Sequence, residues 1–497
     1  MRLHELLGGI GVLGWVGDRD VEVSAITHDS RRAAHGSCFA CIPGAVTDGH
    51  LYAPAAVDAG AVALLVEREL DLPVAQARVP GVRAALGPAA AAFYGHPSRA
   101  VQCLGVTGTN GKTTVTYLLE AIARAAGLRV GVVGTVGARV DGSALPLERT
   151  TPEADDLQAI LASMRADGVR SAALEVSSHA LDQHRVDGTW FAAACFTNLS
   201  QDHLDYHGSM EAYFEAKAGL FDPTRTGAAA VNVGDHYGLE IARRARDAGL
   251  AVMTFAVAGE RDGEPVDVVA DDLEATGSGT RFVLVTTETG ASAAVDSRLL
   301  GAFNVSNALA AATTALVAGF PLDAVVTGLQ APLTIPGRLE RVVAPPDHPF
   351  TVLVDYAHTP DALDRVLAAA RRLAPDHRVI VVFGSGGDRD RRKRPAMGRA
   401  AARGADTAVL TSDNPRSEDP EQIARAVLDG LRDGTASVVV ELDRRTAIRD
   451  ALHSARGGDV VVIAGKGHET GQTIGAETIP FDDRVVAREE LEALGCA

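Results

Sequence analysis

Aromatic side chains are scarce in this 497-residue chain, 4% in all, with two tryptophans. Aliphatic residues and Ala must therefore fill its cores, and no base-stacking pattern of a single-strand nucleic-acid binder is present. Cysteine is rarer still: five thiols, odd in number and scattered, which argues against a disulfide framework. Cys38 and Cys41 form a C-x-x-C, but it lies in an apolar run without a second such pair, so core thiols of a buried strand are expected. No run of ~18 uncharged apolar residues suits a membrane span. The start, MRLHELLGGIGVLGW, carries an early acid and neither a basic leader region nor a small-residue cleavage site. A cytoplasmic protein with no anchor of its own is expected. Positive charge is in deficit, with 47 basic against 64 acidic residues and a net charge of −17. A field of that sign repels nucleic acid and anionic membranes, so neither is an expected partner. Anionic small molecules would have to be met by cations gathered locally.

What is present fits a folded globular chain: 46% hydrophobic and 22% charged residues, with a mean hydropathy of +0.08. At ~150 residues per domain the length suggests about three domains. The expected fold class is α/β throughout, with domains at 1–100, 101–335 and 336–497. In the first, strands at 21–27, 38–42 and 61–66 alternate with helical stretches such as 51–59. It closes on the turn-rich stretch 94–98. In the second, strands at 101–106, 130–133, 172–176, 192–196 and 228–232 are separated by helices, as parallel β-α-β units require. Alternating apolar residues at 266–286 suggest an antiparallel addition, and the proline-bearing stretch 330–335 a second linker. The third domain restarts the pattern with strands at 351–354, 379–383, 408–411, 437–441 and 460–464, and helices at 360–374 and 420–431. It is Rossmann-like but lacks G-x-G-x-x-G.

The strongest local signal lies at 101–126. A strand runs into Thr107-Gly-Thr-Asn-Gly-Lys-Thr-Thr114 and then into a helix, which makes this a phosphate loop with the P-loop ATPase architecture. Gly108, Thr109, Asn110 and Gly111 let backbone N–H groups curl around a phosphate at a positive helix end. Lys112 supplies a point charge to the β/γ-phosphates, the Thr113 hydroxyl can ligate Mg²⁺, and Thr114 extends the loop. Its glycines are closer than in the standard motif, Gly108 standing three residues before Gly111.

Carboxylates gather at two further strand ends. Glu175-Val-Ser-Ser-His179 closes one strand, and Phe196-Thr-Asn-Leu-Ser-Gln-Asp-His203 closes the next. The carboxyl edge of a parallel sheet is where ligands are presented, and hard cations prefer oxygen. Taken singly, Glu175 or His203 is more often a surface or capping residue; beside a phosphate loop they read as a shared metal site. Lys217 on the helix after them reads, from composition alone, as a solvated lysine.

These residues and others in the same order resemble the Mur ligases along nearly the whole chain. The blocks are GTNGKTT (108–114), TTPE (150–153), EVSSHALDQHRV (175–186), FTNLSQDHLDYHG (196–208) and YFEAKAGLF (213–221). FNVSNALAA, PGRLE, VDYAHTPDAL, GSGGDRDRRKRP, DNPR, AGKGHE and FDDR follow. The resemblance is strongest to members that add meso-diaminopimelate to a UDP-N-acetylmuramoyl dipeptide in peptidoglycan synthesis. It implies ATP and Mg²⁺ as cofactors, small-molecule substrates and a monomer. ATP would phosphorylate the acid, and the amine of the amino acid would attack the acyl phosphate.

The resemblance also implies residue roles. Lys112, Lys217 and His203 would be catalytic, with Lys217 carbamylated, and Thr113, Glu175 and His203 would hold Mg²⁺. His28, Ser30, Ala45, Val46, Thr47, Thr150, Thr151, Ser177, Gln183 and Arg185 would meet the nucleotide-sugar peptide. Asn304, Arg338, Asp355 and His358, with Tyr356, would close on ATP. Arg389, Asp413, Asn414, Pro415, Arg416, Gly465 and Glu469 would form the amino-acid pocket. There Arg416 would hold a distal carboxylate that lysine lacks, and Glu469 would face the distal ammonium. Ser385 and Arg392 stand where the family usually has Cys and Gly, and Gln201 where Arg or Lys is commoner. The rival readings are a lysine-adding member, a folylpolyglutamate-type ligase, and a P-loop regulatory module without ligase activity.

Overall fold

The computed structural model describes residues 1–495 except 45, 46, 141, 146, 148, 259–264, 277, 278, 345–347 and 433. Among the described residues the chain forms three large sheets and one two-stranded hairpin. Each sheet is covered by helices and has apolar clusters of its own.

The first sheet orders its strands Gly14–Val16, Ala75–Arg78, Ala63–Val66, Ser37–Ala40, Ala25–Thr27, all parallel except Gly14–Val16. Successive residues of a strand face opposite sides. Cys38 and Ala40 accordingly enter one core and Phe39 and Cys41 the other. Both thiols are free, and burial pushes each up to about 12. In place of one helix at 51–59 there is a 3₁₀ turn, Gly49–Tyr52, followed by the helix Ala53–Asp58. Asp48 captures the His50 amide and Pro54 sits in the first turn of the α-helix, so the α-helix starts after the turn.

The central sheet has eleven strands. Gln102–Thr107 lies in its middle, between Ser171–Glu175 and Ala193–Phe196, and is parallel to both. Its inner parallel strands, from Val130–Gly134 to Ala228–Asn232, are buried on both sides and rich in Ala and Val, as a sheet covered on both faces requires. The expected antiparallel addition is only partly so. Val268–Thr276 pairs parallel with Ala251–Val257 and antiparallel with Gly279–Thr286. An edge hairpin, Gly137–Val140 with Ser143–Leu145, was not foreseen; its strands are too short to show alternation.

The third sheet runs Glu340–Val342, Thr351–Asp355, Val460–Ala464, Val379–Phe383, Thr407–Leu410, Ser437–Val440. Only Glu340–Val342, a three-residue edge strand missed in the sequence, is antiparallel. The hairpin Gly471–Ile474 with Glu477–Pro480 packs beside it. No helix among the described residues is long and apolar enough to cross a membrane.

Candidate active site

The phosphate loop leaves the middle of the central sheet and enters the helix Lys112–Ala125. Gly111 has φ +92°, and a Cβ there would lie 2.3 Å from Asn307 Oδ1, so the turn accepts only glycine. The neighbouring strand end holds the loop in shape. Thr197 Oγ1 and Asn198 Nδ2 donate to the Asn110 carbonyl at 2.6 and 3.1 Å, and the Asn110 amide donates to Asn198 Oδ1 at 3.0 Å.

Two lysines converge on this loop. Lys112 Nζ donates to the Gly108 and Thr109 carbonyls at 2.9 Å each, and Lys217 Nζ donates to the Gly108 carbonyl at 2.8 Å. Among the described residues neither is ion-paired. Burial, reinforced by the charge of Lys112, pulls the Lys217 amine well below its ordinary pKa. Burial lowers Lys112 as well. The lysine that composition assigns to a solvated face is 1% exposed.

Thr113, Glu175 and His203 sit at the ends of adjoining segments around this loop. Glu175 is 2% exposed and accepts from the Thr135 amide at 2.9 Å and the Thr135 hydroxyl at 2.8 Å. A carboxylate has about four lone-pair sites, so acceptor capacity remains. Burial carries the His203 imidazole down to about 3, which keeps it neutral and able to ligate near pH 7. Hydroxyl, carboxylate and neutral imidazole are donor types that divalent cations accept. Next to His203, burial alone would raise the Asp202 carboxyl, but nearby His358, His203 and Lys393 hold it far below the carboxylate range.

Thr150, Thr151, Ser177, Gln183 and Arg185 come together on one wall beside Glu175. Thr151 Oγ1 donates to the Glu175 carbonyl at 2.8 Å and accepts from the Ser177 amide at 3.2 Å. Arg185 reaches the Thr151 carbonyl at 3.3 Å and Gln183 Oε1 at 2.6 Å. His28, Ser30 and Thr47 line a separate cleft of about 930 Å³ between the first and central sheets; Ala45 and Val46 lie outside the described residues. The sequence analysis missed the guanidinium groups of this cleft, Arg31, Arg32, Arg83 and Arg149. They come from distant stretches with no shared motif.

A second cleft, of about 510 Å³, lies between the central and third sheets and is lined by Asn198, Asn232, Asp235, Phe303, Ser306, Arg365 and Arg372 among others. Asn304 is 5% exposed, donates to the Leu300 carbonyl at 2.7 Å and accepts from Asn307 at 2.8 Å. It thus supports the loop through Asn307, whose oxygen abuts Gly111; the i, i+3 asparagine pair was the available signal. Asp355 accepts the Leu339 and Ala357 amides at 2.7 and 2.8 Å, so both its oxygens order the turn that presents Arg338. Arg338 lies over the Tyr356 ring at 4.5 Å and donates to Thr113 Oγ1 at 3.1 Å. His358 Nε2 stands 3.7 Å from Asp202.

In the third unit, Arg416 and Arg389 flank Gly386, and Arg416 Nη1 donates to the Gly387 carbonyl at 2.6 Å. Pro415 stands between Asn414 and Arg416 in the turn after the strand Thr407–Leu410. Glu469 Oε2 accepts from Asn414 Nδ2 at 2.9 Å and from Lys466 Nζ at 3.1 Å. Asp413 packs over Gly465, where an added Cβ would be 2.6 Å from its carboxylate. Lys466, fully buried, was missed. Ser385 is 4% exposed and its hydroxyl finds no hydrogen-bond partner among the described residues. Arg392 is exposed, its amide held by Asp390 at 2.9 Å.

Profiles of known families match all three units. The Mur ligase family catalytic domain matches residues 22–99, the Mur ligase middle domain 106–315, and the Mur ligase glutamate ligase domain 337–467. The chain is 45% identical over 479 residues to the UDP-N-acetylmuramoyl-L-alanyl-D-glutamate–2,6-diaminopimelate ligase of Geobacillus thermodenitrificans, covering 95% of each chain. It is 45% identical to the protein of that name from Gloeobacter violaceus, covering 99% of this chain and 98% of the other. A solved structure of a UDP-N-acetylmuramoyl-L-alanyl-D-glutamate–2,6-diaminopimelate ligase superposes with a TM-score of 0.70 at 36% identity, covering 99% of both.

Proposed function

The chain belongs to the Mur ligase family of ATP-dependent ligases, and from that premise we propose that it joins meso-diaminopimelate to UDP-N-acetylmuramoyl-L-alanyl-D-glutamate in peptidoglycan synthesis. The observation that carries the reading is the convergence at Thr113. An arginine from the third unit, Arg338, donates to the phosphate-loop threonine, so the third unit reaches the nucleotide loop.

The units divide the work with boundaries near 100/101 and 335/336. The arginine-rich cleft takes the anionic nucleotide sugar, the phosphate loop takes ATP, and the third unit takes the amino acid. The γ-carboxylate of the D-glutamyl end attacks the γ-phosphorus of ATP, ADP leaves, and an acyl phosphate forms. The amine then attacks the acyl carbon, phosphate leaves, and the amine proton passes to solvent. Lys112 holds positive potential where phosphate charge shifts, and closure of the third unit would exclude water. Thr113, Glu175 and His203 would hold Mg²⁺, which screens the repulsion between triphosphate and carboxylate.

Lys217 is the lysine of this chain suited to carbamylation. A neutral amine adds CO₂ to give a carbamate and a proton, and burial, reinforced by the charge of Lys112, pulls the Lys217 amine well below its ordinary pKa, toward that neutral form. The carbamate would place an anion beside the Mg²⁺ donors. Intact-protein mass measured at neutral pH in bicarbonate should show one added CO₂, lost in Lys217→Ala; its absence from wild type ends that assignment. In the amino-acid pocket, Arg416 and Arg389 suit a distal carboxylate and Glu469 a distal ammonium. We also propose that the protein acts in the cytoplasm as a monomer, which sedimentation would test.

The deciding assay is phosphate release from ATP with the muramoyl dipeptide, with and without meso-diaminopimelate, and with lysine in parallel. Release should require the diaminopimelate. Equal use of lysine overturns the specificity, and release that never needs an amino acid overturns the ligase reading.

A further inference from the structure

Beneath the amino-acid pocket lies an ion pair with no solvent contact. Arg444 opens the helix Arg444–Ser454 and Asp483 opens the helix Asp483–Gly495. Both side chains are 0% exposed. Arg444 Nε and Nη2 donate to the two Asp483 oxygens at 2.8 and 2.7 Å, a bidentate pair. The same guanidinium has a second pair of acceptors. Nη2 donates to the Ala464 carbonyl at 3.0 Å and Nη1 to the Ser412 carbonyl at 3.3 Å.

Those carbonyls immediately precede Gly465 and Asp413, the first residues of the two loops proposed to hold the amino acid. The loops follow the strands Val460–Ala464 and Thr407–Leu410, which are not neighbours; Val379–Phe383 lies between them. No ladder hydrogen bond can therefore set one loop against the other. Asn414 touches Lys466 and Glu469 at the loop tips, at 3.0 and 2.9 Å; Arg444 crosses the gap at the loop bases, and Asp483 fixes the plane of its guanidinium. Stability alone does not account for the arrangement, because an apolar pair of similar volume is often neutral or stabilising in such a position. A planar donor that reaches two carbonyls and a carboxylate at once is what an apolar pair cannot supply.

We infer that Arg444, held by Asp483, is a positioning residue for the amino-acid substrate: it sets the spacing between the 413–416 turn and the 465–469 loop without touching the substrate. The inference rests on the proposed reading that these loops bind the incoming amino acid.

The test uses the full-length enzyme and the three Michaelis constants. In the double variant Arg444→Met with Asp483→Leu, the KM for the amino acid should rise about 10- to 100-fold, while those for ATP and the muramoyl dipeptide stay within about twofold. Arg444→Lys keeps the charge against Asp483 but loses the planar fork, and should give a rise of roughly tenfold in the same constant alone. If the double variant does not fold, the lysine variant decides. An unchanged KM for the amino acid, or an equal rise for all three substrates, overturns the inference. Wild-type enzyme is assayed in parallel. If it rejects diaminopimelate, the functional reading fails, and the variants are then compared with whichever amino acid wild type consumes.

Discussion

Where the first unit meets the central one, charge pairs and touching backbone dominate; where the third meets it, the polar contacts are longer and Leu300 and Phe303 pack against the third unit's core. At the first joint, the start of the helix Ala154–Ala166 takes His28 on Asp155 at 2.8 Å, Arg32 on Asp156, and Arg83 on Glu153 at 3.2 Å. Ala154 enters the first unit's own core. The linker is pinned as well, Arg165 donating to the Gly95 and Tyr94 carbonyls at 2.9 and 3.0 Å. At the second joint Asn110 reaches Asp361 at 3.2 Å, Ser200 reaches it at 3.5 Å, and Gln201 reaches Asp390 at 3.4 Å. Several partly desolvated charges and close backbone hold the first joint shut, whereas a few long polar contacts can part at little cost. The first joint is expected to be preassembled. The second is expected to open and close with turnover.

Four measurements would break or sharpen that contrast. Arg338→Ala removes the third unit's hold on Thr113, and kcat should fall about 10²- to 10³-fold with little change in the thermal midpoint. A midpoint that falls along with kcat would make Arg338 a structural strut. Gly188 has φ +80°, and a Cβ there would lie 2.4 Å from the Gly87 carbonyl oxygen. Gly188→Val should therefore cost about 3 kcal/mol in denaturant unfolding; a loss under about 1 kcal/mol would mean the first joint is loosely packed.

A smaller effect depends on pH. Burial disfavours charged His28, yet the hydrogen bond and charge of Asp155, with Asp156 and Glu153, outweigh it and raise the imidazole pKa. Its contribution is complete below the unfolded value of about 6.5 and is lost as pH rises through the raised one. Proteolysis in the 94–99 linker should accelerate from about pH 6 to about pH 9, and His28→Gln should flatten that dependence. An unchanged slope would clear His28 of the role. The smallest effect is at Gln201, which is exposed. Gln201→Ala should change kcat by less than about twofold, and a larger loss would show that the second joint depends on more than Arg338.

The phosphate loop, the parallel strands on either side of it and the restart of the pattern in the third unit were legible in the sequence, because apolar periodicity and glycine spacing are local. Glu175 and His203 were legible as residues at strand ends for a related reason: the strand ends of one parallel sheet share an edge. The burial of Lys217 was not, since a helix of mixed composition does not say which face is covered. Short edge strands such as Glu340–Val342 escaped because three residues carry no period.

The order of residues alone determined that this chain builds three α/β units, that the middle one cradles phosphate, and that its blocks run in the family's order. Tertiary structure alone decided which distant arginines share a cleft, that Lys112 and Lys217 meet on one carbonyl, and that Arg444 straps two loops across an intervening strand. The physical reason is range. Backbone preference and hydrophobic period act over a few residues, whereas burial, charge coupling and hydrogen bonds between segments exist only once the chain has brought them together.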